Sequence, residues 1–343
     1  MMPMIPLHVN AVTGHDTNND GLSEGAPFKT LTKLLSVATW KHELFLQSNI
    51  NGEGDSHYRG TLILPPGARC RGLGESRPLV DAFRVAPNAS FTATPGRTGI
   101  YQISWTHSIT PGGTSFFSAH IDGEPVRRAA SLDALEAMST AGLYPGAVSS
   151  ATQTIYLRAP DGGDISVPDS YGIEITAYNH AGTGRAVRLS GIDFKGCGSN
   201  DGVGSFGRFS RVENCDFTYG TKHNLFMSGR SRFSNVVCEY GDPSYGGTPG
   251  AGASTLFVGY DIAGLDLDLE NCTGRHGYVF PEHATNQTLA MYAHTTSDPD
   301  EWARVRLSGF HAEDVGQSAT GLVDTWQISG CTETDVYQPG YPS

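Results

Sequence analysis

The amino-acid sequence predicts an all-β chain coiled as a parallel β-helix, and three observations carry that prediction. The first is composition. There are 43 Gly and 19 Pro in 343 residues, and only 17% of the chain is charged, which gives many turns and too few Lys and Glu for helical bundles or helical repeats. The 38% hydrophobic and 10% aromatic content excludes a disordered chain and, at this length, supports a large core. The second is a degenerate repeat. Segments 187–194, 210–217, 231–238, 267–272, 305–310 and 326–331 share a pivot that is Gly191, Asn214, Asn235, Asn271, Gly309 or Gly330. Gly and Asn are the residues that tolerate the left-handed backbone of a sharp bend. The third is alternation of period two on both sides of the pivot. Leu189, Val212, Phe233, Leu269, Leu307 and Ile328 precede it; Ile192, Cys215, Val236, Cys272, Phe310 and Cys331 follow it. Successive pivots lie 23, 21, 36, 38 and 21 residues apart, one turn of a coil or one turn with an extended loop.

From the N-terminus, residues 7–10 read as a strand and residues 14–21 as a polar loop. Phe28, Leu31, Leu34, Leu35 and Ala38 then fall at helical spacing, with Pro27 placed to start a helix. The Asp/Asn-rich loop reads as a turn or as a calcium loop, without the ligand order and closing Glu of an EF-hand. Short strands follow at 44–46, 61–64 and 79–85, separated by Gly and Pro. The order of strand, Asn-Asp-Gly loop, "PFKTL" helix and "YRGTLILPPGARCRGLGESRPLV" at 58–80 resembles the start of right-handed parallel β-helices of the pectate-lyase-like superfamily. Segments 121–124 and 154–162 resemble a small β insertion found in polysaccharide-directed members, phage tailspikes among them. The resemblance implies a capping strand, loop and helix at 1–42, a coil over 43–343, and the insertion at about 100–175.

Outward positions carry the candidate chemistry. Arg188, Arg211 and Arg232 share one outward column on neighbouring rungs, with Arg306 further along. At roughly 4.8 Å spacing such like charges need neutralising, by Glu213, Asp268 and Glu270 or by an anionic polymer. Asp193 and Asp216 share a second column, and Lys195, Glu239, Arg275 and Glu313 a third. Carboxylates one rung apart perturb each other's proton affinity, which suits general acid chemistry on a glycosidic bond. The same carboxylates suit Ca²⁺, with Lys195 or an Arg abstracting the proton next to a uronate carboxylate; alternatively they only keep the face soluble. Asp193, Asp216 and Glu239 are the catalytic candidates. Lys195, Arg275, His276, Arg188, Arg211, Arg232 and the loop residue Tyr245, an aromatic for a sugar ring, are the binding candidates.

Neither Arg275-His276 nor Glu282-His283 has zinc spacing. No Walker loop, Rossmann fingerprint or Gly-x-Ser-x-Gly elbow occurs in the required context. The net charge of −12 argues against nucleic-acid binding, and no run approaches the ~20 apolar residues of a membrane helix. The start lacks the pattern of a secretory signal, so the expectation is a protein used without such export, or one whose signal has been removed. Cys215, Cys272 and Cys331 share an inward column, where free thiols pack well, disulfides being the alternative. The functional expectation is a carbohydrate-directed, tailspike-like virion tail protein. It binds and depolymerises a bacterial surface polysaccharide as a lyase or glycoside hydrolase, needs no cofactor other than an optional Ca²⁺, associates with other tail proteins, and forms a homotrimer through its open C-terminal end. The alternatives are a secreted bacterial polysaccharide lyase or glycosidase, and a non-enzymatic adhesin or structural virion protein.

Overall fold

All six repeat pivots carry positive φ in the computed structural model of the chain: +67° at Gly191, +54° at Asn214, +51° at Asn235, +50° at Asn271, and +62° at Gly309 and Gly330. The structure describes residues 3–48, 57–106, 118–146, 152–197, 202–221, 223–241, 255–261, 264–277, 289–294, 303–322 and 324–338. The described residues are nearly all β, with 52% strand and 6% helix.

Each bend separates two parallel ladders. The first runs Ile5–Val9, His42–Gln47, Arg69–Leu73, Arg188–Ser190, Arg211–Thr218, Arg230–Glu239, Leu265–Glu270, Ala303–Ser308, Thr325–Ser329. The second begins His57–Arg59, Leu79–Asp81, Asp193–Lys195. It continues through the later halves of Arg211–Thr218 and Arg230–Glu239 to Thr273–Arg275, His311–Leu322 and Thr332–Gln338. A third joins Leu62–Leu64, Gly182–Gly184, Gly204–Phe206, His223–Met227, Thr255–Tyr260, Leu289–His294 and the end of His311–Leu322.

The register makes the inward residues meet like with like. Leu44, Cys70, Leu189, Val212, Phe233, Leu269 and Leu307 form one buried column. Phe194 and Phe217 stack in another, centroids 5.0 Å apart and planes within 5°. Burial of each such side chain contributes about 1.5–3 kcal/mol, and a one-residue slip would turn the whole column to solvent. Cys215 and Cys272 are buried and all six cysteines are free thiols; Cys331, expected to be buried with them, is partly exposed.

Three sequence expectations shift. The helix is Leu31–Val37, capped by Thr30, whose Oγ1 accepts from the Lys33 N–H at 3.1 Å; Pro27 lies outside it. Asp16 of the polar loop accepts from the Lys29 and Thr30 N–H groups at 2.7 and 3.0 Å, so its carboxylate ties the loop to the helix cap. The β insertion begins earlier than residue 100: Phe83–Val85 and Thr92–Ala93 already belong to its two separate sheets of four and five strands, which enclose their own core around Ile103, Leu143, Ile155 and Ile175.

Candidate functional site

Asp193 and Asp216 face outward from neighbouring strands of the second ladder, the Asp216 N–H donating to Asp193 Oδ1 at 3.2 Å. One guanidinium joins them. Arg77 reaches Asp193 Oδ1 through Nε at 3.1 Å, and Asp216 through Nη1 at 3.1 Å and Nη2 at 2.5 Å. Burial, and then the neighbouring Asp216 charge, push the Asp193 carboxyl up to about 6, against the pull of Arg77. The pair therefore holds a carboxyl that is half protonated near pH 6 beside a carboxylate fixed by two hydrogen bonds, which is an acid and an anion within one contact. Arg77 is absent from the sequence-based site. It precedes Leu79–Asp81, which pairs with Asp193–Lys195 across the whole insertion, so only the register discloses it.

Lys195, Thr218, Glu239, Arg275 and Glu313 form the next outward column. Glu239 accepts from Arg275 Nε at 2.7 Å. Lys195 is held by Glu174 of the insertion at 3.4 Å, and its ammonium lies 5.2 Å from the Phe83 ring and 5.7 Å from the Tyr219 ring. Arg59 bonds Glu174 at 2.6 Å and Asp81 at 2.8 Å, joining the insertion to the second ladder. Burial raises the Glu174 carboxyl less than Arg59 and Lys195 lower it, so it ends below its ordinary value. Asp81, fully buried, goes the other way, raised by burial against Arg59 and Lys195. Asp81, Glu174 and Arg59 were not among the sequence-based candidates.

Rings climb the corner beside this column. His120 lies 4.6 Å from Phe83 and 4.7 Å from Tyr219; Tyr219 stacks on Tyr240 at 5.1 Å, and Tyr240 on His276 at 5.3 Å. His276 Nδ1 meets Asp314 Oδ2 at 3.1 Å. Burial, then Lys195, lower the His120 imidazole to about 3, so it is neutral. Tyr219, Tyr240 and His276 are partly exposed and stack in sequence, so both faces of Tyr240 are covered. They suit hydrogen bonding to hydroxyls rather than face stacking on a sugar. Tyr245 lies outside the described residues.

On the first ladder Arg188, Arg211 and Arg232 occupy consecutive positions of one column, preceded by Arg69 and followed by Asp268 and Arg306. Arg211 meets Glu213, and Arg232 meets Asp268, each at 3.5 Å; Arg306 meets Asp268 at 3.3 Å. Two of the three acids expected to neutralise the column thus do so; Glu270 makes no ion pair among the described residues. Among those residues no group of three or more His, Cys, Asp or Glu side chains converges as a metal site.

No protein-family profile and no curated protein matches the chain. Matches to solved structures include the following two. One, described as the complex structure of XylC with xylose, has TM-score 0.55 and 9% identity, and the match covers 96% of this chain and 68% of that one. The other, described as a glycoside hydrolase, has TM-score 0.41 and 8% identity over 96% of both chains. At 9% identity the first likeness establishes shared fold alone, and at TM-score 0.41 the second carries no argument.

Proposed function

We propose that the three ladders close into one right-handed parallel β-helix whose second face binds a bacterial surface polysaccharide and hydrolyses it at Asp193 and Asp216. The observation that carries this reading is the carboxyl pair on adjacent strands, with Asp193 raised to about 6. Protonated Asp193 donates its proton to the glycosidic oxygen as the bond from that oxygen to C1 breaks. An Asp216 oxygen forms the new bond to C1. Water then displaces Asp216, giving its proton to the Asp193 carboxylate. This is the retaining course, in which the second carboxylate is the nucleophile; the anomeric configuration of the released sugar tests it against the inverting course. Tyr219, Tyr240, Glu239, Arg275 and His276 offer edge donors and acceptors for sugar hydroxyls alongside. Lyase chemistry is disfavoured because Lys195 is tied to Glu174 and boxed by two rings. No step runs through Ca²⁺, since the Asp193 and Asp216 oxygens already accept from Arg77.

In this reading the protein is a tailspike-like component of a virion tail, working beside other tail proteins as a homotrimer. Thr325–Ser329 and Thr332–Gln338 each pair on one side only among the described residues, and a second copy would cover those edges; sedimentation at micromolar concentration reads this directly. Arg77 also motivates a second reading, a non-enzymatic adhesin, because it occupies both carboxyls. The test is a polysaccharide panel assayed for reducing ends and for unsaturated-uronate absorbance, with Asp193→Asn and Asp216→Asn made separately. Hydrolysis predicts reducing ends without the uronate signal and a loss of about 10²-fold or more in each variant. Binding without cleavage by the parent protein establishes the adhesin; near-normal turnover in both variants refutes this site.

A further inference from the structure

We infer that the N-terminal part of the first ladder carries a binding site for an acidic polysaccharide, formed by Arg69, Arg185, Arg188 and the exposed ring of Phe209. The inference deepens the carbohydrate reading above by giving the polymer a negative charge, and it concerns a different face from Asp193.

The arginines of this face are treated unequally. Toward the C-terminal side each has an acid: Arg208 meets Asp261 at 2.5 Å, Arg230 and Arg304 meet Asp266 at 3.0 Å, and Arg306 meets Asp268 at 3.3 Å. Arg71 meets Glu43 at 3.3 Å. Arg69, Arg185 and Arg188 make no ion pair and no side-chain hydrogen bond among the described residues. They are nevertheless neighbours: Arg69 pairs in register with Arg188, and Arg185 precedes Arg188 by three residues around the corner at Ala186, φ +54°. The Arg185 stem crosses Gly207, where a Cβ would lie 2.6 Å from Arg185 Cγ, so its course resembles that of Arg208 over Gly229. Arg208 ends on Asp261, whereas Arg185 has no ion pair among the described residues. Glu43 faces Arg69 in register but is engaged by Arg71 at 3.3 Å, so Arg69, Arg185 and Arg188 lie near one another without an ion pair among the described residues and repel one another.

Phe209 is the second observation, and it is independent of charge. It sits one rung on from Ala186, whose N–H donates to the Arg208 carbonyl at 2.8 Å. It is 68% exposed, at φ +64°. A bulky side chain in the left-handed region is strained by about 1–2 kcal/mol, and an exposed ring returns little by packing. Its faces, unlike those of Tyr219 and Tyr240, are not covered by another ring among the described residues. A ring beside free guanidiniums suits a sugar ring bearing an acid group: stacking for the one, forked hydrogen bonds for the other. Duplex nucleic acid offers phosphates to the guanidiniums, but its base rings are stacked inside the helix and leave no free face for Phe209.

The experiment measures binding of polygalacturonate, dextran and duplex DNA by isothermal titration at about 0.15 M salt, where global charge is screened beyond ~8 Å. It uses the parent protein, Arg69→Ser/Arg188→Ser, Phe209→Gly, and Arg304→Ser as the control. The parent should bind polygalacturonate at least tenfold more tightly than dextran or DNA. The double variant should lose about 10²-fold in affinity. Phe209→Gly should lose affinity while its melting temperature holds or rises, because glycine relieves the left-handed strain. Arg304→Ser should bind as the parent does. Equal binding of dextran, tighter binding of DNA, or unchanged affinity in the double variant overturns the inference and leaves the Asp193 reading standing. Binding of neither polysaccharide overturns the inference, while the cleavage panel above decides the carbohydrate reading separately.

Discussion

Replacing Asp193 by Asn should make the protein more stable above pH 6 while removing its chemistry. The carboxyl rises from 3.8 to about 6 on folding, so the folded state holds the proton more tightly than the unfolded chain does. The sign follows from linkage: this side chain favours the fold fully below about pH 4, and that advantage is lost as the pH climbs to about 6. At about 1.4 kcal/mol for each pKa unit, ionised Asp193 costs the fold about 3 kcal/mol at pH 8. Its side chain is 28% exposed, so local solvent reduces this toward 1–3 kcal/mol in practice, about the range of a single strong mutation. Asparagine keeps the shape, and its Oδ1 still accepts from the Asp216 N–H and from Arg77 Nε, but it never ionises.

The assay is urea unfolding of both proteins at pH 4, 5, 6, 7 and 8, compared by midpoint at constant slope. The two should coincide at pH 4 and separate progressively, with Asp193→Asn more stable at pH 8. A gap that does not change with pH, or a variant less stable than the parent at pH 8, refutes the reasoning, because it would mean that Arg77 holds Asp193 ionised in the fold. Loss of turnover together with gained stability is what distinguishes a group kept under strain for chemistry from a solvated acid, which would change neither.

Arg77→Met removes the shared counter-ion and leaves two carboxyls facing each other. Because Arg77 is 37% exposed the effect is discounted to about 1–2 kcal/mol of destabilisation at pH 8, shrinking at pH 4 where Asp193 is protonated; an equal loss at both values argues that packing, not charge, holds Arg77 there. Asn271 sits at φ +50°, so Asn271→Ala should cost about 1–2 kcal/mol while Asn271→Gly stays within a few tenths, read by denaturant midpoint; equal losses would mean that the side chain rather than the bend matters. Burial raises the Cys215 and Cys272 thiols up to about 12, and Cys70, Cys197 and Cys238 are equally enclosed. A native thiol titration should therefore detect Cys331 alone, with all six appearing on unfolding; fast reaction of several thiols, or a mass showing bridges, would contradict the packing.

The parallel ladders were legible because two strict physical requirements leave marks on residue type. A bend with positive φ admits Gly or Asn cheaply, and a column facing inward must be apolar on every rung, so the pivots and the Leu189 column could be aligned without a structure. The next corner left no such mark. Gly196 is followed there by Tyr219, Tyr240, His276, Asp314 and Asp335, at φ +59°, +59°, +48°, +51° and +51°. These residues are poor choices one by one. Their rings stack at 5.1 and 5.3 Å and His276 meets Asp314 at 3.1 Å, so cross-rung contact offsets backbone strain, and a single rung read alone shows only a misplaced tyrosine. The insertion boundary was missed for a related reason: Phe83–Val85 reads as a continuation of Leu79–Asp81, and only its antiparallel pairing with Ile173–Thr176 assigns it elsewhere.

The site divides along the same line. Asp193 and Asp216 could be placed together because they lie on consecutive repeats, and an interval of 23 residues is visible to the eye. Arg77, Arg59, Asp81, Glu174 and His120 set the protonation of that face, yet Arg77 reaches Asp216 across 139 residues of sequence and Arg59 reaches Glu174 across 115. The parallel ladders are interrupted after Asp81 and resume at Gly182–Gly184 on the strand Leu62–Leu64. Everything between is folded out as the insertion, and its last strand returns Glu174 to the rung it left. Charge on this face is therefore decided by which rung the chain leaves and rejoins. Moving that exit by a single turn would take Arg77 from Asp193 and Glu174 from Lys195 while leaving every repeat motif in the sequence unchanged.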